Sequence, residues 1–473
     1  MTFNVWSLRM ACLLVAAGLL AVPGCGGGGA GGVGTGGTGA ASLTNGTVNG
    51  FGSIIVDSQR YDDSQVATMV ETAPGVLAQS QAQLGQTVEL QYTPSGVATR
   101  LQALPALDGT VASVDLPGSF GLLGQTVRVN TDHAAGPITQ FAGGYTGALS
   151  VGVGDAVEVH GLVLGPGSAG VIQATRVEHL AAVPAYLRIT GPVQELSGSS
   201  LRIGTLQVDA SQASVLPQGA RLANGAVVTL LAAASSLSGS PLAPRLAAAE
   251  VDVRQAGVPG TALGLSGSVA QWDPAASRFA LGGVQVSYAG GTVLPVGAPL
   301  SNGLYVRVSG VVQGDGSVQA ATVTVVDQDG DAEAELSGNI VGYSAATQTF
   351  QVRGVNVDAS QAALDHCAKG LSEGQYVSVE GALDATGVLA STVKCEDEPD
   401  GGTVERSGAA SAVDTTHANF TLTAEQGAPL AVHWTAVTYF SGVSPATLEG
   451  QQVEVQGILS NGVLQAQTVV KDD

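Results

Sequence analysis

The side chains best suited to covalent chemistry are four cysteines, and two of them, Cys12 and Cys25, fall within the first 25 residues. Cys367 and Cys395 remain as an even pair, which in an oxidising compartment reads as a disulfide. Closing a loop of that size contributes about 3.5 kcal/mol in the loop-entropy model. A catalytic or metal-binding pair is the sharper alternative, but no Cys-x-x-Cys or His spacing accompanies it. The six histidines (His133, His160, His179, His366, His417 and His433) show no His-x-x-x-His or His-Glu-x-x-His spacing and are expected on the surface. No Gly-x-Ser-x-Gly elbow occurs either, so serine hydrolase chemistry of that type has no support.

Oxygen ligands are more plentiful. Asp327, Asp329, Asp331, Glu333 and Glu335 alternate along one stretch, and Glu396, Asp397, Glu398 and Asp400 crowd another. Oxygen-rich, Gly-containing loops suit Ca²⁺, which makes Asp327, Asp329 and Asp331 the metal candidates. Gly330, however, stands at the fourth place of such a loop and not the sixth, and a solvated, self-repelling linker is the simpler reading. No other cofactor is implied. Aromatic side chains that could stack on a sugar or a peptide are Tyr343, Tyr376, Trp434 and Tyr439, with Tyr288 and Tyr305 earlier in the chain. Aromatics make up only 4% of the residues, and small cores need them, so packing competes with binding for each one.

The ends and the charge say where such groups would work. Met10 to Val22 is an unbroken apolar run, the length of a signal-peptide core and too short to span a bilayer. It leads into Val22-Pro23-Gly24-Cys25, which resembles a bacterial lipobox. That resemblance implies diacylation of Cys25 and cleavage after Gly24, so residues 1–24 read as a lipoprotein signal peptide. An ordinary secretory signal with a chance cysteine is the alternative. Gly26 follows, where an Asp would favour inner-membrane retention, and the outer membrane of a Gram-negative bacterium is the expected destination. Residues 25–43 then form a Gly-rich tether. Its Gly32-x-Gly34-x-x-Gly37 matches a dinucleotide fingerprint in letters only, since no strand precedes it and no helix follows. With a net charge of −21 the chain repels nucleic acid and anionic lipid, which leaves an envelope protein or a glycan as partner besides the membrane held through Cys25.

Positioning falls to a repeated unit. A Gly followed three residues later by Val recurs at Gly85/Val88, Gly154/Val157, Gly225/Val228, Gly303/Val306, Gly374/Val377 and Gly450/Val453, about every seventy residues. Four copies continue as Val-x-Val-x-Gly, ending at Gly161, Gly310, Gly381 and Gly457. An Ala-x-x-Val strand also recurs, as in Ala390/Val393 and Ala466/Val469. Short apolar segments broken by Gly, Pro, Asn and Ser give an all-β reading. In the clearest copy, Leu336–Tyr343, Thr349–Val352, Val355–Val357, Tyr376–Gly381 and Val388–Lys394 read as strands, with a short helix or helical turn over Asp358–Gly370 capped by Asp358. That order is the order of an OB-type small barrel.

The predicted architecture is a tandem array of six small OB-like antiparallel β-barrel modules. Their ranges are 44–107, 108–183, 184–257, 258–328, 329–400 with the disulfide, and 401–473. The third diverges, because the run Ala232–Leu246 replaces the Val-x-Gly ending and leaves its fourth strand unassigned. The opening Asn49-Gly50-Phe51-Gly52-Ser53-Ile54-Ile55-Val56, followed by Arg60-Tyr61-Asp62, resembles modules of the domain-of-unknown-function family 5666. The two strand repeats and the cysteine pair fit the same family. The resemblance covers residues 44–470, most closely in the first, fifth and sixth copies. It implies tandem modules in bacterial envelope lipoproteins and brings no activity with it. The expectation is a non-enzymatic, lipid-anchored array for scaffolding, adhesion or presentation. The alternatives are a glycan- or peptide-binding module and an envelope enzyme with a site between barrels.

Overall fold

Along the clearest copy Leu336, Phe350, Val352, Val357, Val377, Val379, Val388 and Val393 are all buried, and polar residues alternate with most of them. A period of two puts every second side chain on one face, so these segments gain apolar burial only as strands. The computed structural model describes residues 42–472, apart from 94, 165–169, 255–256, 258, 282–283, 303, 326–333, 369, 396–402, 424–428 and 461.

In this copy the first strand runs Ala334–Asn339 and resumes after a bend at Ile340 as Val341–Ser344. Thr349–Val352 and Val355–Asp358 form a hairpin, and Tyr376–Leu383 with Gly387–Cys395 another. The first strand pairs antiparallel with the fourth (Leu336↔Val379), and the fourth with the fifth (Val379↔Val393). The fifth lies parallel to the third (Val357↔Val388), and the second closes the ring onto the first (Val341↔Gln351). The result is a small closed five-stranded barrel in OB-type order, as the sequence led us to expect. Of the short helix or helical turn expected over Asp358–Gly370, the described residues form only a turn. Asp358 accepts the Ser360 N–H at 2.9 Å in a tight turn, and Ala363–Asp365 is a short strand parallel to the fifth (Leu364↔Val393).

Both repeated glycines have a backbone reason. Gly374 has φ +74° and donates its N–H to Ile340 O at 2.8 Å, and Gly85, Gly154, Gly225 and Gly450 make the equivalent bond with positive φ. A left-handed residue at this spot turns the chain into the fourth strand, and glycine adopts it without steric cost. Gly381 sits at a break in the ladder register, and a Cβ there would lie 2.2 Å from Leu389 O. Gly161, Gly310 and Gly457 mark the same bulge in their copies.

The same closure recurs through the chain with two insertions. In the first copy the hairpin Thr68–Ala73 and Val76–Ser80 precedes the fourth strand, Thr87–Tyr92. In the third copy the fourth strand does form, as Val227–Ala233. The low-charge run after it makes the hairpin Ser238–Ser240 and Ala243–Ala247, which splits the fifth strand and leaves Glu250–Val253 to pair with the fourth.

Tandem copying carries no expectation of how copies meet, and here they fold back on one another. Residues from Gly39 to Asp473 form one compact unit. The first strand of the first copy, Ser42–Phe51, runs parallel to the first strand of the fourth (Leu43↔Leu263) and, further along, to that of the fifth (Gly50↔Glu335). The first and fifth copies share one hydrophobic core, and so do the second and third.

Candidate functional site

The folding back leaves a partly open cavity of about 800 Å³ among the first four copies. Its polar wall follows from strand register. Arg188 on Tyr186–Pro192 lies opposite Leu231, which lies opposite Glu250. One step along, Thr190, Thr229 and Asp252 form the next row. On Glu250–Val253, Val251 and Val253 turn into the core shared by the second and third copies, so Glu250 and Asp252 point the other way. Glu71 from the inserted hairpin of the first copy and Glu89 from Thr87–Tyr92 complete the carboxylates, and Arg188 and Arg254 are the cations. Leucines 104, 162, 231, 265 and 281 form apolar walls.

Both cations are engaged. Arg188 Nε lies 3.3 Å from Asp108 Oδ2, its Nη1 4.0 Å from Glu71 Oε2, and its Nη2 donates to the Glu71 carbonyl. Arg254 Nε donates to Thr229 Oγ1 at 3.3 Å. Glu250 is only 6% exposed. Burial, then the neighbouring carboxylates of Glu71 and Asp252, push its carboxyl up to about 7. Desolvation, followed by Glu71 and Glu89 against the pull of Arg254, lifts Asp252 to about 6.

Next to the cavity, Thr87, His160 and Glu158 stand at the distances of a hydroxyl–imidazole–carboxylate relay. Thr87 Oγ1 is 3.2 Å from His160 Nδ1, and His160 Nε2 is 3.0 Å from Glu158 Oε1. The hydrogen bonds point elsewhere. Thr87 Oγ1 donates to Leu104 O at 2.7 Å, and the Nδ1 lone pair takes the Thr87 backbone N–H at 3.1 Å. His160 is fully buried, contrary to the surface position expected of it, and its ring pins the first copy to the second. A second buried junction centres on Asp57, which accepts Tyr305 Oη at 2.8 Å and Thr47 N–H at 3.1 Å, while Ser266 Oγ donates to it and Arg307 to its carbonyl. Burial lifts this carboxyl to about 6.

The residues singled out from sequence lie away from the cavity. Cys367 and Cys395 are joined in a disulfide with Cα atoms 5.0 Å apart. Tyr343 packs half-buried beside Phe350, and Tyr376 is buried against the core of the last copy. Trp434 is buried between Phe420 and Phe440, and Tyr439 is half-buried. These four aromatics form no common binding face: Tyr343 packs on the core of the fifth copy, and Tyr376 and Trp434 are buried in that of the sixth. Cys25, tether residues 26–41, Asp327, Asp329, Asp331, and the second acidic run lie outside the described residues, whereas Ser42 and Leu43, expected in the tether, belong to the first strand because Leu43 pairs with Leu263. Glu335, the end of the first run, is ion-paired with Arg60 of the first copy. Among the described residues no group of three or more His, Cys, Asp or Glu is placed to hold a metal ion.

The model of a family described as a domain of unknown function, DUF5666, matches residues 108–178, 266–324, 332–394 and 407–470, more than half of the chain. The chain belongs to the DUF5666 family. The matched segments leave out the first and third copies, although the opening motif quoted above lies in the first. Those are the two copies whose barrels carry an inserted hairpin. No curated protein matches the chain. Among solved structures, Drosophila Unr CSD456 is similar at 15% identity over 47% of this chain and 98% of that one, with a TM-score of 0.11. At that score the likeness supports no argument about DUF5666.

Proposed function

We propose that this DUF5666 chain is a non-enzymatic, lipid-anchored protein of a bacterial outer membrane, tethered through Cys25 and serving as a scaffold or adhesive array. The observation that carries the reading is the placement of the first strand. Ser42–Phe51, directly after the tether, is paired with the first strands of two distant copies, so an anchor there holds the whole body and not one flexible bead. Several acyl chains, at roughly 0.8 kcal/mol per buried methylene, make such an anchor nearly permanent. The direction of the hydrogen bonds at Thr87 and His160 supports a role without catalysis.

The test is fractionation of cells making the wild type or Cys25→Ser, followed by protease treatment of intact and permeabilised cells. Wild type in the outer-membrane fraction and Cys25→Ser released from it is the expected result. Digestion on intact cells places the array outside and favours adhesion, and protection until permeabilisation favours a periplasmic scaffold. Equal membrane retention of both proteins refutes the anchor.

A further inference from the structure

The four-copy cavity holds an electrostatic arrangement that the fold alone does not use. Four carboxylates, Glu71, Glu89, Glu250 and Asp252, face it, against two guanidinium groups. Arg188 is divided between Asp108 and Glu71, and Arg254 bonds Thr229. Glu250 is left with the Glu71 carboxylate as its hydrogen-bond partner, and two carboxylates can bond only by sharing a proton. A carboxylate more than nine-tenths buried and facing a cavity without a donor is costly unless a proton or a cation joins it.

We propose that this cavity is a binding site for a small aliphatic amine of the diamine or polyamine class. An ammonium group supplies the donor that Glu250 lacks, beside Glu71, whose Oε1 already takes the Gly75 N–H at 2.9 Å. Asp252 and Glu89, the latter 3.9 Å from Arg100, lie within the same cavity for a second ammonium. The methylene chain between them packs on the leucine walls. A volume of about 800 Å³ lies in the range of small-molecule sites. Anionic ligands meet the wrong field, and a bare metal ion lacks a grouped set of ligands among the described residues. The assignment rests on the cavity and is independent of the anchor at Cys25.

Calorimetric titration of the full chain in detergent with cadaverine and with spermidine tests it, in about 0.15 M salt so that general attraction to an acidic surface is screened. One saturable site is expected, with 1-pentanol and glutarate giving no heat. Glu250→Gln removes one carboxylate of an acidic chain and is expected to weaken the amine about tenfold or more. It relieves repulsion in the apo cavity, so its melting temperature should not fall. If that variant does fail to fold, Asp252→Asn, at an exposed position, is expected to lower affinity by a smaller factor. The proposal is overturned by no saturable amine binding, by pentanol binding as tightly as cadaverine, or by affinities that both variants leave unchanged.

Discussion

Replacing Gly50 by alanine should pry the first copy from the fifth. A Cβ at Gly50 would lie 2.2 Å from the Glu335 carbonyl oxygen and 2.9 Å from Ile55 Cδ1. The isoleucine tip can rotate away, but the carbonyl belongs to a strand fixed on both sides. The pairs Gly50↔Glu335 and Phe51↔Leu336 must therefore part. Two backbone hydrogen bonds at about 1 kcal/mol each go with them. The exposed Arg60–Glu335 ion pair adds less than about 1 kcal/mol. Phe51, buried in the shared core, regains part of its exposure at about 1–2 kcal/mol. The sum is about 3–5 kcal/mol, read as a lower denaturation midpoint and as faster amide exchange confined to Ser42–Phe51 and Ala334–Asn339. Gly75→Ala is the control: its φ is +69° but no atom lies within 4 Å of the new methyl, so it costs about 1–2 kcal/mol and leaves those two strands protected. If Gly50→Ala unfolds like the wild type with both strands still protected, the first and fifth copies are not joined in this way.

Three other outcomes follow from the same geometry. Reduction of the Cys367–Cys395 bond, 28 residues apart, should lower stability by about 3.5 kcal/mol; denaturant unfolding with and without reductant measures it, and the double Ser variant should not respond to reductant. Asp57, lifted from 3.8 to about 6, keeps its proton in the fold at pH values where the unfolded chain has lost it. Its contribution is therefore full below about pH 4 and is lost as pH rises through 6, a change of about 3 kcal/mol that Asp57→Asn should flatten in melts taken from pH 4 to 7. Gly374→Ala, with open space but φ +74°, should cost about 1–2 kcal/mol, and Gly381→Ala, facing Leu389 O, should cost more; equal midpoints for the two would contradict the bulge.

The barrel was legible because its signals are local. Alternating valines mark the strands, a left-handed glycine precedes the fourth, and a second glycine opens the bulge. At Asp358–Gly370 the choice between helix and turn stayed open because an aspartate before Ala-Ser-Gln-Ala-Ala caps a turn as readily as a helix, and only pairing with the distant strand Gly387–Cys395 decides between them. The cavity was not legible. Glu250-Val-Asp252-Val-Arg254 displays its alternation plainly, yet a polar strand face with no known neighbour reads as solvated. What covers it are Glu71 and Glu89, brought from more than a hundred residues away by contacts between copies, and nothing in the period of a repeat encodes its neighbours in space. His160 failed for the same reason, since its hydrogen-bond partner Thr87 belongs to another copy.

The parallel pairing of Ser42–Phe51 also sets an order of events in time. Its partner Leu263 lies in the fourth copy and Glu335 in the fifth, so a strand synthesised before either partner is completed nearly last. Until then the emerging chain presents an unpaired edge, the kind of edge that recruits wrong partners. Contacts this distant in sequence also slow assembly, because loop-closure entropy is lost before they form. Truncation after the third copy should thus yield barrels that close individually but associate through that open strand, so the last copies act as an intramolecular cap on the first.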